Sequence, residues 1–278
     1  MSANAFNQTS GAAINGTLTS ITFDGNVNNI GTNAFNGIET LITLAFDGNV
    51  GDIGNNAFLG CNSLESVVFE GNVNSIGNNA FNSIETLNNL IFEGNVGSIG
   101  SNAFAGCISL PSLRIEGNTG SIGINAFAGC YSLTSVTFVG DVGSIGKNAF
   151  AGCFSLPFMP FQFFSGPIIS EPNTLTFGGS VGVIGEGAFE DCVDLQAVIF
   201  GGVVSIIEAD AFKNCVGLTE ITFPDGIEEI GEGAFSGCSN LEIITFDGGT
   251  PPVFGENVFD GVPSTCMVYV LAYADEGE

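Results

Sequence analysis

Hydrophobic positions recur along this chain at a fixed interval. An Ala-Phe pair places phenylalanine at Phe35, Phe58, Phe81, Phe104, Phe127 and Phe150, 23 residues apart each time. The same 23-residue spacing returns at Phe189, Phe212 and Phe235, with a last relative at Phe259. One period, clearest at residues 122–144, reads Ile-Gly-x-Asn-Ala-Phe-x-Gly-Cys-x-Ser-Leu-x-x-Val-x-Phe-x-Gly-Asn-Val-x-Ser. A constant period in the twenties is the signature of a solenoid, in which each turn packs only on its neighbours.

Within a period, Leu-x-x-Val-x-Phe alternates at its end, as a strand with one buried face does. Stacked turns then make a parallel sheet, with Ile21/Phe23, Leu44/Phe46, Val67/Phe69, Leu90/Phe92, Leu113/Ile115 and Val136/Phe138 facing inward. Val-x-x-Ile-Gly predicts a second short extended piece, with Ile30, Ile53, Ile76, Ile99, Ile122 and Ile145 in one column. Asn-Ala-Phe-x-Gly-Cys is too short for a free helix, and is expected to form one helical or 3-10 turn on the opposite wall. Two asparagine columns mark the bends, one at Asn26, Asn49, Asn72, Asn95 and Asn118, the other at Asn33, Asn56, Asn79, Asn102, Asn125 and Asn148. A stacked asparagine can satisfy backbone groups in its own turn and the next.

The repeat predicts a single domain over 1–278. It divides into an irregular, open N-terminal turn (1–17), regular repeats (18–156), an insertion (157–172), regular repeats (173–262) and a C-terminal cap and tail (263–278). Phe150 and Phe189 are 39 positions apart, one period plus 16. Both Leu156-x-x-Met159-x-Phe161 and Leu175-x-Phe177 fit the strand pattern there, so one of them must leave the standard path. At the start, Ala5-Phe6 is a repeat fragment with no preceding turn, 29 residues before Phe35.

Charge narrows the partners. Lys and Arg number 3 against 29 Asp and Glu, with no His, for a net charge of −26. Nucleic acid is excluded, because neutralising phosphates needs basic side chains, and anionic membranes are disfavoured. The acidity reads either as solubility in a salty medium or as a surface meant for cations or a basic partner. No run of 18 apolar residues occurs, so no transmembrane segment is expected. The first residues, Met-Ser-Ala-Asn-Ala-Phe, lack the basic end and apolar stretch of a signal peptide. That fits an intracellular chain, part of an assembly or a trimmed precursor.

Chemistry is sparse. Cys61, Cys107, Cys130, Cys153, Cys192, Cys215 and Cys238 each follow the repeat phenylalanine by three residues, a place held by Ile38 and Ile84 in two other turns. A site that takes Cys or Ile is a small apolar core site. Stacked Cβ atoms about 4.8 Å apart are too far for a disulfide, which prefers about 3.8 Å. A buried thiol ladder is expected, with Cys266 out of register. There is no His for a triad and no phosphate loop, and the three cations, Arg114, Lys147 and Lys213, lie apart in the repeat register. No catalytic residues and no enzyme activity are expected.

Several features could bind. The insertion carries Phe158, Met159, Phe161, Phe163 and Phe164 with four prolines; exposed aromatics on a stiff backbone suit a protein contact, or the rings fold back over the core. Partner binding or self-association is expected through this insertion and the open N-terminal end, with Arg114 a further contact candidate that is also placed to neutralise Glu116 or Glu93. Outward strand positions such as Ser20/Thr22, Ser112/Arg114 and Ile243/Thr245 form a mixed Ser/Thr/Val/Ile face. Asp24, Asp47, Glu70, Glu93 and Glu116 form one acidic column, each followed by glycine and ending at Val139. Such neighbours repel by about 0.8 kcal/mol per pair in water. The row is either a tolerated wet edge or a series of weak calcium sites shared between turns. No other cofactor is expected.

Ile-Gly-x-x-Ala-Phe-x-Gly-Cys-x-x-Leu followed by a strand resembles the BspA-like leucine-rich repeat family. The segment Leu218 to Cys238, with Pro224 after its strand, is the best match, and Phe259 to Val270 resembles the closing strand of such proteins. The resemblance runs over roughly 18–272. It implies a leucine-rich-repeat solenoid with a parallel sheet on one face and short helical or 3-10 turns on the other. It also implies a non-catalytic protein-recognition or adhesion module displayed on a cell or virion surface. The alternative is a structural subunit of a shell, filament or virion coat. Gly-Asn replaces the proline usual after the strand, and the basic residues common in relatives are missing.

Overall fold

The computed structural model describes residues 18–154, 173–248 and 251–271. They wind as a parallel β-solenoid. The first strand of each turn joins an eleven-stranded sheet running from Ser20–Phe23 to Met267–Leu271, and the second strand a ten-stranded sheet from Val27–Ile30 to Val253–Phe254. Register follows the sequence period: Ile21 lies against Leu44 and Leu44 against Val67, with Phe23, Phe46 and Phe69 in line beside them.

The core is two columns of phenylalanine. Strand rings stack face to face, Phe23 on Phe46 at 4.9 Å and Phe46 on Phe69 at 5.0 Å between centroids. Turn rings do the same, Phe58 on Phe81 at 4.8 Å and Phe104 on Phe127 at 5.1 Å. The columns meet edge to face, as with Phe92 and Phe104 at 6.3 Å and 89°, an arrangement aromatic quadrupoles favour. One strand spacing is close to one ring spacing, so a ring repeated at one position stacks in register, with columns of Leu, Ile, Val, Ala and Cys filling the rest of the interior.

The helical or 3-10 turn expected on the third wall is absent: no helix occurs among the described residues. The cause is the left-handed backbone of two residues in each Asn-Ala-Phe-x-Gly. Asn56 has φ 55° and Gly60 has φ 76°, and the same holds at Asn102 and Gly106. A left-handed residue every fourth position breaks any right-handed helix. Instead each segment makes successive reverse turns (Ala57 N–H to Gly54 O at 3.2 Å, Cys61 N–H to Phe58 O at 3.2 Å). The alternate amides reach the next turn (Asn56 N–H to Asn78 O at 3.0 Å, Phe58 N–H to Ala80 O at 2.9 Å). All three walls are therefore tied turn to turn by backbone hydrogen bonds.

Two prolines loosen the first sheet. Pro111 stands where Glu65 and Asn88 donate to the previous turn but has no N–H, and the ladder between Asn89–Phe92 and Ser112–Ile115 pairs only at Ile91–Arg114 and Phe92–Ile115. Pro224 stands where Gly201 donates to Phe177. Its ladder ends at Val198–Ile221, and the Phe200–Phe223 ring distance opens to 6.4 Å.

At the long interval the ambiguity resolves. Thr174–Phe177 pairs with Ser135–Phe138, Leu175 on Val136 and Phe177 on Phe138, so the second candidate strand takes the repeat path. Met159, Phe161, the rest of the 157–172 insertion and the 1–17 start lie outside the described residues.

Candidate binding surface

The bend joining the two sheets is built by the triplet Asp/Glu-Gly-Asn. At its first residue the backbone closes the strand ladder: Asp47 N–H donates to Phe23 O at 3.1 Å and Glu70 N–H to Phe46 O at 3.0 Å. The glycine is required by close stacking, since a Cβ on Gly48 would lie 2.5 Å from the Gly25 carbonyl carbon. The asparagine then joins two turns. Asn49 N–H donates to Asn26 Oδ1 at 2.9 Å, and Asn49 O accepts from Val27 N–H at 2.8 Å. The side-chain bond repeats from Asn72 to Asn49 at 2.9 Å, Asn95 to Asn72 at 2.8 Å, Asn118 to Asn95 at 2.7 Å and Asp141 to Asn118 at 2.9 Å.

A backbone N–H can only donate, so the atom facing it must be the amide oxygen. That fixes every amide in the row with its NH₂ group turned away from the bonded backbone. The row borders an open groove of about 610 Å³ along Asn26, Asn49, Asn72 and Asn95, which also takes in Asn28, Gly51 and Asn74. Beside it, Asp52 accepts from Ser75 Oγ and Asn74 Nδ2, both at 2.6 Å. These two bonds, Ser75's first, hold its carboxyl below the usual carboxylate range.

Asp24, Asp47, Glu70, Glu93 and Glu116 are all exposed along the bend. Among the described residues no three acidic or cysteine side chains converge on a point that could hold a metal. Glu116 is engaged by Arg114 through Nε and Nη2. Arg114 also lines a cleft of about 240 Å³ with Asn89, Glu93 and Ser112, where Pro111 opens the ladder. The other two cations are paired as well. Lys147 meets Glu186 at 2.6 Å, and Lys213 meets Glu190 and Asp210 at 3.4 Å each. Asp210 first, then Glu190, pushes the Lys213 ammonium pKa up.

The eight cysteines are free, and the seven in register are buried. Burial pushes their thiols well up, to about 12 for Cys61 and Cys238; a buried thiol held in its protonated form is a poor nucleophile. Phe158, Met159, Phe161, Phe163 and Phe164 lie outside the described residues. The sequence pointed to the asparagine row as bend-forming but not to the groove beside it. Its signal was the Asn28-Gly51-Asn74-Gly97 alternation two residues further on.

The sequence profile of the BspA type leucine rich repeat region matches residues 3–99, 51–172 and 163–268, with six copies. Among solved structures, a leucine-rich repeat protein from Bacteroides ovatus is 20% identical over 91% of this chain and 84% of its own, with a TM-score of 0.45. The pneumococcal vaccine antigen PcpA is 18% identical over 93% and 69%, with a TM-score of 0.43. A leucine rich cell surface protein from Faecalibacterium prausnitzii is 21% identical over 92% and 91%, with a TM-score of 0.32. No curated protein matches. By profile matches that run through most of its length, this chain belongs to the BspA-type leucine-rich repeat family.

Proposed function

We propose that the protein is a non-catalytic recognition or adhesion module displayed on a cell or virion surface. The observation that carries this is the outward face of the eleven-stranded sheet. It extends from Ser20 and Thr22 to Thr245 and Tyr269 through eleven strands paired in sequence, loosened only at Pro111 and Pro224. A rigid, chemically mixed face loses little entropy on docking, and LRR domains commonly mediate protein interactions. The aromatic residues of 157–172 and Arg114 are proposed to contribute contacts. The test is adherence of beads carrying the full chain to cells or isolated surface proteins. Phe163→Ser with Phe164→Ser, and separately Ile199→Glu on the sheet face, are expected to abolish retention with melting unchanged. Full retention by both variants overturns the reading.

One feature favours a second reading, a structural subunit of an assembly. The last strand, Met267–Leu271, has all five side chains exposed, including Val268 and Leu271. Ordered fibres of the pure protein, lost in Val268→Lys, would support this reading over the first.

A further inference from the structure

The asparagine row offers more than a bend. Each amide oxygen is spent on a backbone N–H, as the hydrogen bonds from Asn49 through Asp141 show. Each NH₂ group therefore keeps two donors, and these follow one another at one strand spacing, about 4.8 Å. Five turns carry the asparagine, Asn26, Asn49, Asn72, Asn95 and Asn118, and each also carries a carboxylate two residues earlier. Both columns stop at the same turn, at Val139 and Asp141. The groove is lined by the amides of Asn26, Asn49, Asn72 and Asn95 together with those of Asn28 and Asn74, the acidic column lying outside its lining. Side-chain amides, which carry both donors and an acceptor, suit hydroxyl groups, which donate and accept together.

We infer that this groove binds a linear, uncharged polysaccharide lying along the solenoid axis, one sugar per turn. The inference rests on the recognition reading above and names a ligand class for the groove at the bend, beside the ten-stranded sheet. Pyranose rings joined through opposite equatorial positions advance by nearly one strand spacing per ring, so each ring meets the next amide of the row, with alternate rings turned over. An extended peptide advances about 3.3 Å per residue and loses register within two turns. The acidic column repels an acidic glycan. It also repels the same face of a second copy, since the chain carries a net charge of −26. Individual contacts are weak, and affinity accumulates along the polymer.

The test titrates the full chain with end-labelled β-1,4-linked glucose oligomers from dimer to octamer, and with the α-1,4-linked series, whose rings curl away from a straight axis. Affinity for the β series is expected to rise roughly a hundredfold up to the pentamer and then level off, with no dependence on salt. The α series should bind at least about tenfold more weakly than the β series. Asn49→Asp, Asn72→Asp and Asn95→Asp together keep each backbone acceptor, as Asp141 does for Ser180 N–H at 2.8 Å, and remove the donors. This variant should fall to dimer-level affinity with its melting temperature kept. Asp141→Asn adds a donor and should move the plateau to the hexamer. Equal binding of the two series, affinity independent of length, or an unaffected triple variant overturns the inference. So does a dimer of the chain that the triple variant abolishes, or binding of an extended peptide with no competition from the oligomers. If no glycan binds but adherence sensitive to Phe163 and Phe164 persists, the glycan falls and the recognition reading stands. If both are lost, both fall.

Discussion

The thiol of Cys130 donates to the carbonyl oxygen of Phe104, one turn earlier, across 3.3 Å. Cys107 does the same to Phe81 at 3.4 Å and Cys153 to Phe127 at 3.1 Å. This seals the thiols as core groups, so one cysteine, the partly exposed Cys266, is expected to react with an alkylating reagent in the native protein. The other seven should react only in denaturant. Mass spectrometry of the labelled protein decides it: several register cysteines labelled without denaturant would refute the core ladder.

The same burial predicts an alkaline weakness. Desolvation raises the folded thiols above their ordinary 9.0, to about 12 at Cys61 and Cys238. The folded state thus keeps protons that the unfolded chain releases. Stability from this source is fully present below about pH 9 and declines as pH rises toward 12. Chemical denaturation at a series of alkaline pH values should show a falling unfolding free energy from pH 9 upward, and a flat profile there would contradict it.

Thr119 occupies a column held by valine in both neighbouring turns, Val96 and Val142. It is 2% exposed and its hydroxyl has no hydrogen-bond partner. Valine has nearly the same shape without the stranded polar group, so Thr119→Val should stabilise the protein by about 1 kcal/mol. Urea denaturation measures this, and a destabilised variant would mean the hydroxyl is satisfied.

Asn79 sits at φ 54°. Alanine in that left-handed position costs about 1–2 kcal/mol, while glycine adopts it freely. Asn79→Ala is therefore expected to lower stability by about 1 kcal/mol and Asn79→Gly to change it less, as read by thermal melts of the two variants side by side.

What the sequence made legible follows from periodicity. Both sheets, their register and the two phenylalanine columns were readable because each side chain repeats its neighbour's environment. The third wall was misread because Asn-Ala-Phe-x-Gly-Cys, too short for a free helix, was expected to close as one helical or 3-10 turn. Only the φ values of Asn56 and Gly60, fixed by bonding to the next turn, reveal reverse turns. The two asparagine columns looked alike in sequence yet act differently. Asn26 and its successors accept backbone N–H groups through their side chains, whereas Asn33 and its successors supply left-handed backbone. The groove was hidden for a similar reason: it arises between turns, from which amide atom faces the backbone, and no single turn encodes it. Pro111 and Pro224 were visible as residues, but their effect lies in the N–H groups they lack, which at the equivalent positions donate to the previous turn.

The acidic row is the last point to test. Asp24, Asp47, Glu70 and Glu93 are exposed, one per turn, and Glu116 is taken up by Arg114. Neighbouring carboxylates one strand apart repel by about 0.8 kcal/mol per pair before screening. No three of them converge, so a calcium ion here would take one carboxylate from each of two successive turns at about 2.3–2.6 Å and complete its shell with water. We propose such weak, shared sites. Each adds about 1.4 kcal/mol at ten times its Kd, confined to the N-terminal turns. Melting should then rise in millimolar calcium beyond the effect of sodium at matched ionic strength. Replacing Asp24, Asp47, Glu70, Glu93 and Glu116 by Asn or Gln should remove the excess. Arg114→Ala, which frees Glu116, should enlarge it. Equal responses to sodium and calcium, or a response that survives in the fivefold variant, would leave the row a solvated edge whose repulsion salt merely screens.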